Sequence, residues 1–324
     1  MQTVVASHGH CFDGLASATL FTNLLRELGE AKSEFVYRAV GYSPDSKQHV
    51  DQLFTGDVNA LLDYRFSSAP ALSWYFDHHR TAFASPTDQQ VFATRQSEGQ
   101  FFYDAACSSC SKLIYRIGSE RFGITQTSLQ ELMNWADVID SASFPDAEAA
   151  IDNHNPVLRL ANVVEHHGDD KFFTELVPQL LTRSVIEVAQ SKAVTDLYAP
   201  LAGRRDVFLR LVKQHARTLG HVVFVDLTVA PLQTLAKFVT YALFPQSQYS
   251  VIIGRLGNAV KISVGHNPWS GKALQHDIGA MCARHGGGGH AMVGGIAFHL
   301  AELDRALSIA TEIARELDSS PRPV

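Results

Sequence analysis

The chain has 324 residues, of which 46% are hydrophobic, 19% charged and 10% aromatic, with a formal net charge of −6. This balance excludes a disordered or fibrous chain, and the length exceeds what one hydrophobic core usually organises, so two domains are expected. The acidic balance disfavours a protein that coats long duplex nucleic acid through a broad basic surface, but it leaves room for a small phosphate-bearing substrate.

Four cysteines, Cys11, Cys107, Cys110 and Cys282, are too few for a disulfide-stapled fold and suit a reducing compartment. The first residues show no basic region followed by an apolar run. Nor does any stretch reach the roughly eighteen apolar residues of a spanning helix. A soluble, cytoplasmic protein with no membrane partner is the expectation.

In chain order, Thr3–Ala6 reads as a buried strand. Ala16–Leu28 reads as a helix with Leu20, Leu24 and Leu28 on one face and Gly29 as its stop. Further strands are expected at Phe35–Val40, Ala60–Leu62 and Ser73–Phe76, and helices at Ala105–Ile117 and Leu129–Ile139. Strands separated by helices imply βαβ units and a mostly parallel sheet. From about Leu180 to Leu219 there is no strand signal, and Ala199-Pro200 and Gly203 break helical sequence, which reads as an interdomain linker. A second αβ unit follows, with strands near Val222–Leu227, Ser250–Ile253 and Val260–Val264 and helices near Leu232–Leu243 and Ala273–Arg284. The tail Asp318–Val324 reads as mobile. The fold class is therefore α/β, a mostly parallel N-terminal sheet with flanking helices joined by a helical linker to a smaller αβ domain. The divisions fall at 1–185, 186–220 and 221–324.

Ligand sites of such sheets lie at the carboxyl ends of the strands, so polar residues should follow the apolar runs. They do. The first strand leads into Ser7-His8-Gly9-His10, the third into Asp63, and the fourth into Asp77-His78-His79. Imidazole and carboxylate suit borderline-to-hard divalent metals such as Mn²⁺, and no thiolate pairs suggest a structural zinc site. So many donors exceed the needs of one ion. Two ions sharing a bridging carboxylate and a bridging hydroxide would suit phosphoester hydrolysis.

These residues carry a resemblance to the DHH/DHHA1 phosphoesterase family, the superfamily of nanoRNases, pAp phosphatases and RecJ-like exonucleases. The triplet that names it stands here as Asp77-His78-His79, followed by Arg80-Thr81-Ala82. Ser7-His8-Gly9-His10-Cys11-Phe12-Asp13-Gly14 resembles the first motif, Leu61-Leu62-Asp63 the second and Trp135-Ala136-Asp137 the fourth. Gly286-Gly287-Gly288-Gly289-His290 is similar to the glycine-rich signature of the C-terminal domain.

The resemblance implies a two-domain hydrolase with a pair of Mn²⁺ (or Mg²⁺) ions in a cleft between domains. Carried over by position, His8, Asp13, Asp63, His78 and Asp137 would be metal ligands, with Asp63 bridging. Asp137 is preferred over Asp140 because the motif's Ala-Asp pair stands there. His79 would contact substrate or support a ligand from behind, Asp77 would orient an imidazole, and Arg80 would offset phosphate charge. In the first motif, Cys11 stands where many members have an aspartate; His10 or Cys11 replaces that ligand, or the loop is re-spaced. His266, Asn267, Gly287, Gly288, Gly289 and His290 would contact substrate.

The function expected is a Mn²⁺-dependent phosphoesterase for a small nucleotide, short oligoribonucleotide or linear dinucleotide. pAp, cyclic dinucleotides and polyphosphate are alternative substrates, and long duplex nucleic acid is not expected as a partner. The oligomeric state stays open, a homodimer included. A non-catalytic nucleotide-binding regulator with a degraded metal site is the alternative from another class. Cys107-Ser108-Ser109-Cys110 and Glu165-His166-His167-Gly168-Asp169-Asp170 read as helix packing and a solvated loop.

Overall fold

The computed structural model describes residues 1–41, 50–232 and 237–319. The chain divides into two compact units, Met1–Phe144 with Asn153–Leu201, and Pro145–Asp152 with Ala202–Val324.

In the first unit five strands form a sheet: β1 (Gln2–His8), β2 (Glu34–Val40), β3 (Val58–Leu62), β4 (Trp74–Asp77) and β5 (Phe101–Tyr103). Their order is β2-β1-β3-β4-β5 and every pairing is parallel. Alternate residues of each strand feed different cores. Val5, Leu62 and Phe76 pack on one face with a helical layer, while Ala6, Leu61 and Tyr75 pack on the other with Phe54, Phe66, Leu72 and Phe92. Because both faces are covered, the strands are apolar runs rather than alternations.

The helices of this unit are α1 (Phe12–Leu25), α2 (Pro86–Arg95), α3 (Cys110–Phe122) and α4 (Gln130–Asp140). After α5 (Ala147–Ala150), which belongs to the second unit, come α6 (Pro156–His167), α7 (Asp170–Leu180) and α8 (Val185–Ala189). Helix α1 is buried almost all round, which its small residues Gly14, Ala16, Ser17 and Ala18 permit. Thr19 and Thr22 satisfy their hydroxyls on the carbonyls of Leu15 and Ala18. Helix α3 starts at the Ser109 cap, which accepts from Lys112 N, and stops at Gly123 in the left-handed region.

Helix α9 (Lys192–His215) carries the chain across the division at Leu201/Ala202. The second unit has β6 (Ala216–Leu219), β7 (Val222–Leu232), α10 (Lys237–Leu243), β8 (Tyr249–Leu256), β9 (Ala259–His266) and α11 (Ile278–Ala283). It ends with β10 (Gly288–His290), β11 (Val293–His299) and α12 (Leu303–Asp318). The sheet order is β10-β11-β9-β8-β7-β6, and among the described residues only the β7–β8 pair is parallel.

Several expectations shift. Helix α1 begins at Phe12 and closes before Leu28, which is exposed, because the chain turns at Arg26–Glu30 with Gly29 at φ 106°. Pro200 and Gly203 do not end a helix; both lie inside α9. The expected linker ends in a strand, β6, and residues 145–152 join the second unit, where Ile151 packs beside the Phe208 and Val212 cluster. Helix α11 starts only at its Asp277 cap, and of the helix expected from Leu232, residues 233–236 lie outside the described residues. Strands β5 and β11 and helix α12 were not anticipated. Yet Ala306, Ile309, Ala310, Ile313, Ala314 and Leu317 repeat with helical spacing and are all buried. Of the tail, Asp318 is the last residue of α12 and accepts from His221 N, while residues 320–324 lie outside the described residues.

Two glycines test this packing in opposite directions. A Cβ on Gly14 would sit 2.0 Å from the His8 carbonyl oxygen, where backbone has to move, whereas one on Gly203 meets nothing within 4 Å. Denaturant unfolding should show Gly14→Ala destabilised by about 3 kcal/mol or more, and Gly203→Ala stabilised by roughly 0.5–1 kcal/mol.

Candidate metal centre

Three parallel strands end side by side in β1, β3 and β4, and each delivers donors at its carboxyl end: His8, Asp63, and Asp77-His78-His79. Helix α1 adds Asp13 from its first turn, and α4 adds Asp140 from its last residue. Asp63 is the hub. It is 1% exposed and adopts φ 55°, a left-handed conformation uncommon outside glycine and costly unless the surroundings impose it. His8 Nδ1 lies 3.5 Å from one of its oxygens. His78 Nε2 and His79 Nδ1 lie 3.5 and 3.7 Å from the other.

The supports around the hub are ordinary and well made. Asp13 accepts hydrogen bonds from Cys110 N at 2.7 Å and Ser111 N at 3.1 Å, two otherwise unpaired amides at the start of α3. His78 donates from Nδ1 to the Cys107 carbonyl at 3.2 Å, so its Nε2 faces Asp63 and, at 3.4 Å, Asp140. Asp77, fully buried, holds His79 Nδ1 at 2.7 Å and accepts from the Tyr75 hydroxyl. A neutral imidazole held in this way carries its lone pair on Nε2.

The charges are mutually dependent. Burial works to lower the His78 pKa, but Asp63 beside it, with Asp140 and Asp13, drives it up to about 10. Burial and the charges of Asp63 and Asp140 push the Asp13 carboxyl well above the usual range. Burial and Asp63 push Asp140 the same way. Asp63 itself is held below the ordinary range, because His78 and His8 outweigh its burial. Burial and the same carboxylates raise the Cys11 thiol.

Do these residues fit a divalent cation? Buried polar atoms are normally hydrogen-bonded, yet neither oxygen of Asp63 and not His78 Nε2 takes a hydrogen bond. Donor atoms converge in three overlapping groups, His8 with Cys11 and Asp63, Asp63 with His78 and His79, and Asp13 with His78 and Asp140, each within 4.8 Å. Imidazole and carboxylate donors around an acidic hub fit divalent ions, and the groups share Asp63 and His78, the kind of sharing a paired-ion centre uses.

The structure brings together His8, Asp13, Asp63, His78 and His79, but two expected ligands stand elsewhere. His10 is exposed at φ 56° and turned toward the end of α6, where its amide and Nδ1 meet the carbonyls of Gly168 and Glu165. Asp137 is spent on Lys112, at 2.8 Å, and on the hydroxyls of Ser108 and Ser109. Asp140, one turn further and at the open end of the helix, takes the place expected for Asp137. Arg80 is exposed next to the triplet. The stretch Glu165–Asp170 is no loop but the junction of α6 and α7, with Asp169 capping α7 and Asp170 paired with Arg38.

In the second unit, Asn267 is buried and its amide is consumed by Pro245 O, Ser247 O and Trp269 N, so it shapes a turn rather than meeting a substrate. His266 is also buried, with Nε2 on the Lys272 carbonyl. Gly288–His290 is an edge strand instead of a loop, and Gly287 passes so close to Gly295 O that a Cβ would sit 2.2 Å away.

The sequence reading missed the backbone supports at Cys107, Cys110 and Ser111, having started that helix too early. The Ser109 cap was the available signal.

No family model and no curated protein matches the chain. Solved structures match along its length. The pGpG-specific phosphodiesterase PggH of Vibrio cholerae aligns over 96% of this chain and 98% of its own, with a TM-score of 0.67 at 18% identity. An exopolyphosphatase-related protein of Bacteroides fragilis aligns over 98% and 94%, with 0.54 at 14% identity. RecJ of Thermus thermophilus, in complex with Mn²⁺, aligns over 100% of this chain and 53% of its own, with 0.59 at 14% identity, so the chain spans about half of that protein. The likeness is one of fold: the chain has the fold of the DHH phosphoesterases.

The cluster makes two checkable statements. Asp140→Asn should weaken Mn²⁺ binding at least tenfold in calorimetry while Asp137→Asn changes it little, since only Asp140 faces His78. Because His78 holds a proton at neutral pH and a cation must displace it, Mn²⁺ affinity should rise about tenfold per pH unit between pH 6 and 8 for each proton released. Calorimetry in buffers of different ionisation enthalpy counts those protons.

Proposed function

We propose that the chain is a divalent-metal-dependent phosphoesterase that hydrolyses phosphoester bonds of short oligoribonucleotides or linear dinucleotides. The observation that carries this reading is Asp63, a buried carboxylate with neither oxygen hydrogen-bonded, surrounded by three imidazoles at the carboxyl ends of parallel strands. The fold shared with PggH, a pGpG-specific phosphodiesterase, and with Mn²⁺-bound RecJ supports both the reaction and the substrate class.

The residues that would hold the ions are His8, Asp13, Asp63, His78 and Asp140. Mn²⁺ or Mg²⁺ bound there would supply Lewis acidity and acidify a water for attack at phosphorus. The chain supplies orientation and charge. The α3 amides hold Asp13, and the Cys107 carbonyl keeps His78 turned inward. Asp77 raises the basicity of His79, whose pKa lies above its ordinary value despite burial. His79 in its protonated form donates from Nε2 to a phosphoryl oxygen, and exposed Arg80 offsets further charge on the transferring group. In the second unit, the outer edge of the glycine strand β10 offers backbone amides without Cβ obstruction to a nucleotide. A soluble cytoplasmic protein is part of the same reading. Among the described residues, no helix is long and apolar enough to cross a membrane.

Purified, Mn²⁺-loaded protein incubated with a 5′-phosphorylated diribonucleotide should release mononucleotides. Asp63→Asn should reduce the rate by about a hundredfold or more, and Asp77→Asn by roughly ten- to a hundredfold through loss of the His79 orientation. Absence of hydrolysis with two ions bound would redirect the reading to pAp, cyclic dinucleotides or polyphosphate. Absence with one ion or none would favour a nucleotide-binding protein.

A further inference from the structure

Cys11 stands where the chain leaves β1 and enters α1, as the residue that caps the helix, with its carbonyl accepting from Leu15 N. Its position is thus set by backbone on both sides. Its sulfur, a ring nitrogen of His8 and a carboxylate oxygen of Asp63 lie within 4.8 Å of one another. A thiol near a ligand set proves little by itself. The second, independent observation is Asp63, 1% exposed, whose two oxygens take no hydrogen bond although one of them is turned to His8 at 3.5 Å. The other half-buried thiol, Cys107, belongs to no such group among the described residues.

We propose that Cys11 supplies a thiolate to the ion held with His8 and Asp63, and that this position therefore selects thiophilic divalent cations such as Zn²⁺, Co²⁺ or Fe²⁺ over Mg²⁺. The chemistry is that of softness. A sulfur donor among nitrogen and oxygen donors favours borderline metals, whereas Mg²⁺ prefers an all-oxygen shell and gives up its waters reluctantly. On binding, the sulfur–metal bond forms as the S–H bond breaks, and the proton passes to solvent. The group containing Asp13, His78 and Asp140 offers no sulfur and keeps the harder preference, so the two positions differ in metal taste. The inference rests on the metal-centre part of the proposed function and is independent of which phosphoester is cleaved.

The test is absorption spectroscopy of the full chain titrated with Co²⁺, paired with Zn²⁺ and Mg²⁺ competition. Native protein should develop a sulfur-to-Co²⁺ charge-transfer band in the near ultraviolet. Cys107→Ser should keep it, and Cys11→Ser and Cys11→Ala should both lose it while still binding Co²⁺ through the remaining donors. Cys11→Asp should lose the band and move the Zn²⁺-to-Mg²⁺ affinity ratio toward Mg²⁺ by roughly tenfold or more. The proposal is overturned if native protein binds Co²⁺ without the band, if the band survives in a folded Cys11 variant, or if Cys11→Asp leaves the ratio unchanged. Failure of the phosphoesterase reading has a separate signature, the band present and lost with Cys11 while no phosphoester is hydrolysed.

Discussion

A buried carboxylate that accepts no hydrogen bond is costly, and Asp63 is such a group. In water its two oxygens would be fully solvated; here they face imidazoles 3.5–3.7 Å away, in a backbone conformation that side chains seldom adopt. The surrounding charges are organised by that one residue. His78 is driven toward protonation, while Asp13 and Asp140 are driven toward neutrality, so without a cation the centre accommodates its crowded charges by taking up protons. Ions held by the proposed ligands would replace those protons with a denser positive charge.

The fold holds this unfavourable arrangement because its supports lie in regular structure. Asp13 is tied to the start of α3, His78 to the carbonyl just before that helix, and His79 to Asp77 at the end of β4. The centre is therefore coupled to the placement of α1 and α3. That placement depends in turn on small residues in α1, notably Gly14 against the His8 carbonyl. Packing and chemistry are linked there, and a methyl group added to the core is expected to disturb the ligands as well as the stability.

The second unit follows another logic. Its mixed sheet is stabilised by α12 lying on β8 and its neighbours, and the Asn267 amide is spent internally on Pro245 O, Ser247 O and Trp269 N. At the sheet edge, Gly288 and Gly289 of β10 are exposed and present backbone groups.

Much was legible in the chain before folding. The runs Thr3–Ala6, Ala60–Leu62 and Ser73–Phe76 each lead directly into polar residues. Because parallel strands buried on both faces must be apolar and must end at one edge, the sequence by itself determined the sheet, the edge and the meeting of His8, Asp63, His78 and His79 there. Tertiary structure decided between residues that look alike along the chain. Asp137 and Asp140 sit three apart on one helix, but only the last residue of α4 reaches His78, while Asp137 meets Lys112 and the serines before α3. His10 and Cys11 are adjacent, yet the turn at His10 sends its ring to α6 and leaves Cys11 beside Asp63. Local pattern reports which face a residue takes, whereas which partner waits on that face depends on helices distant in sequence, and only the packed molecule sets that.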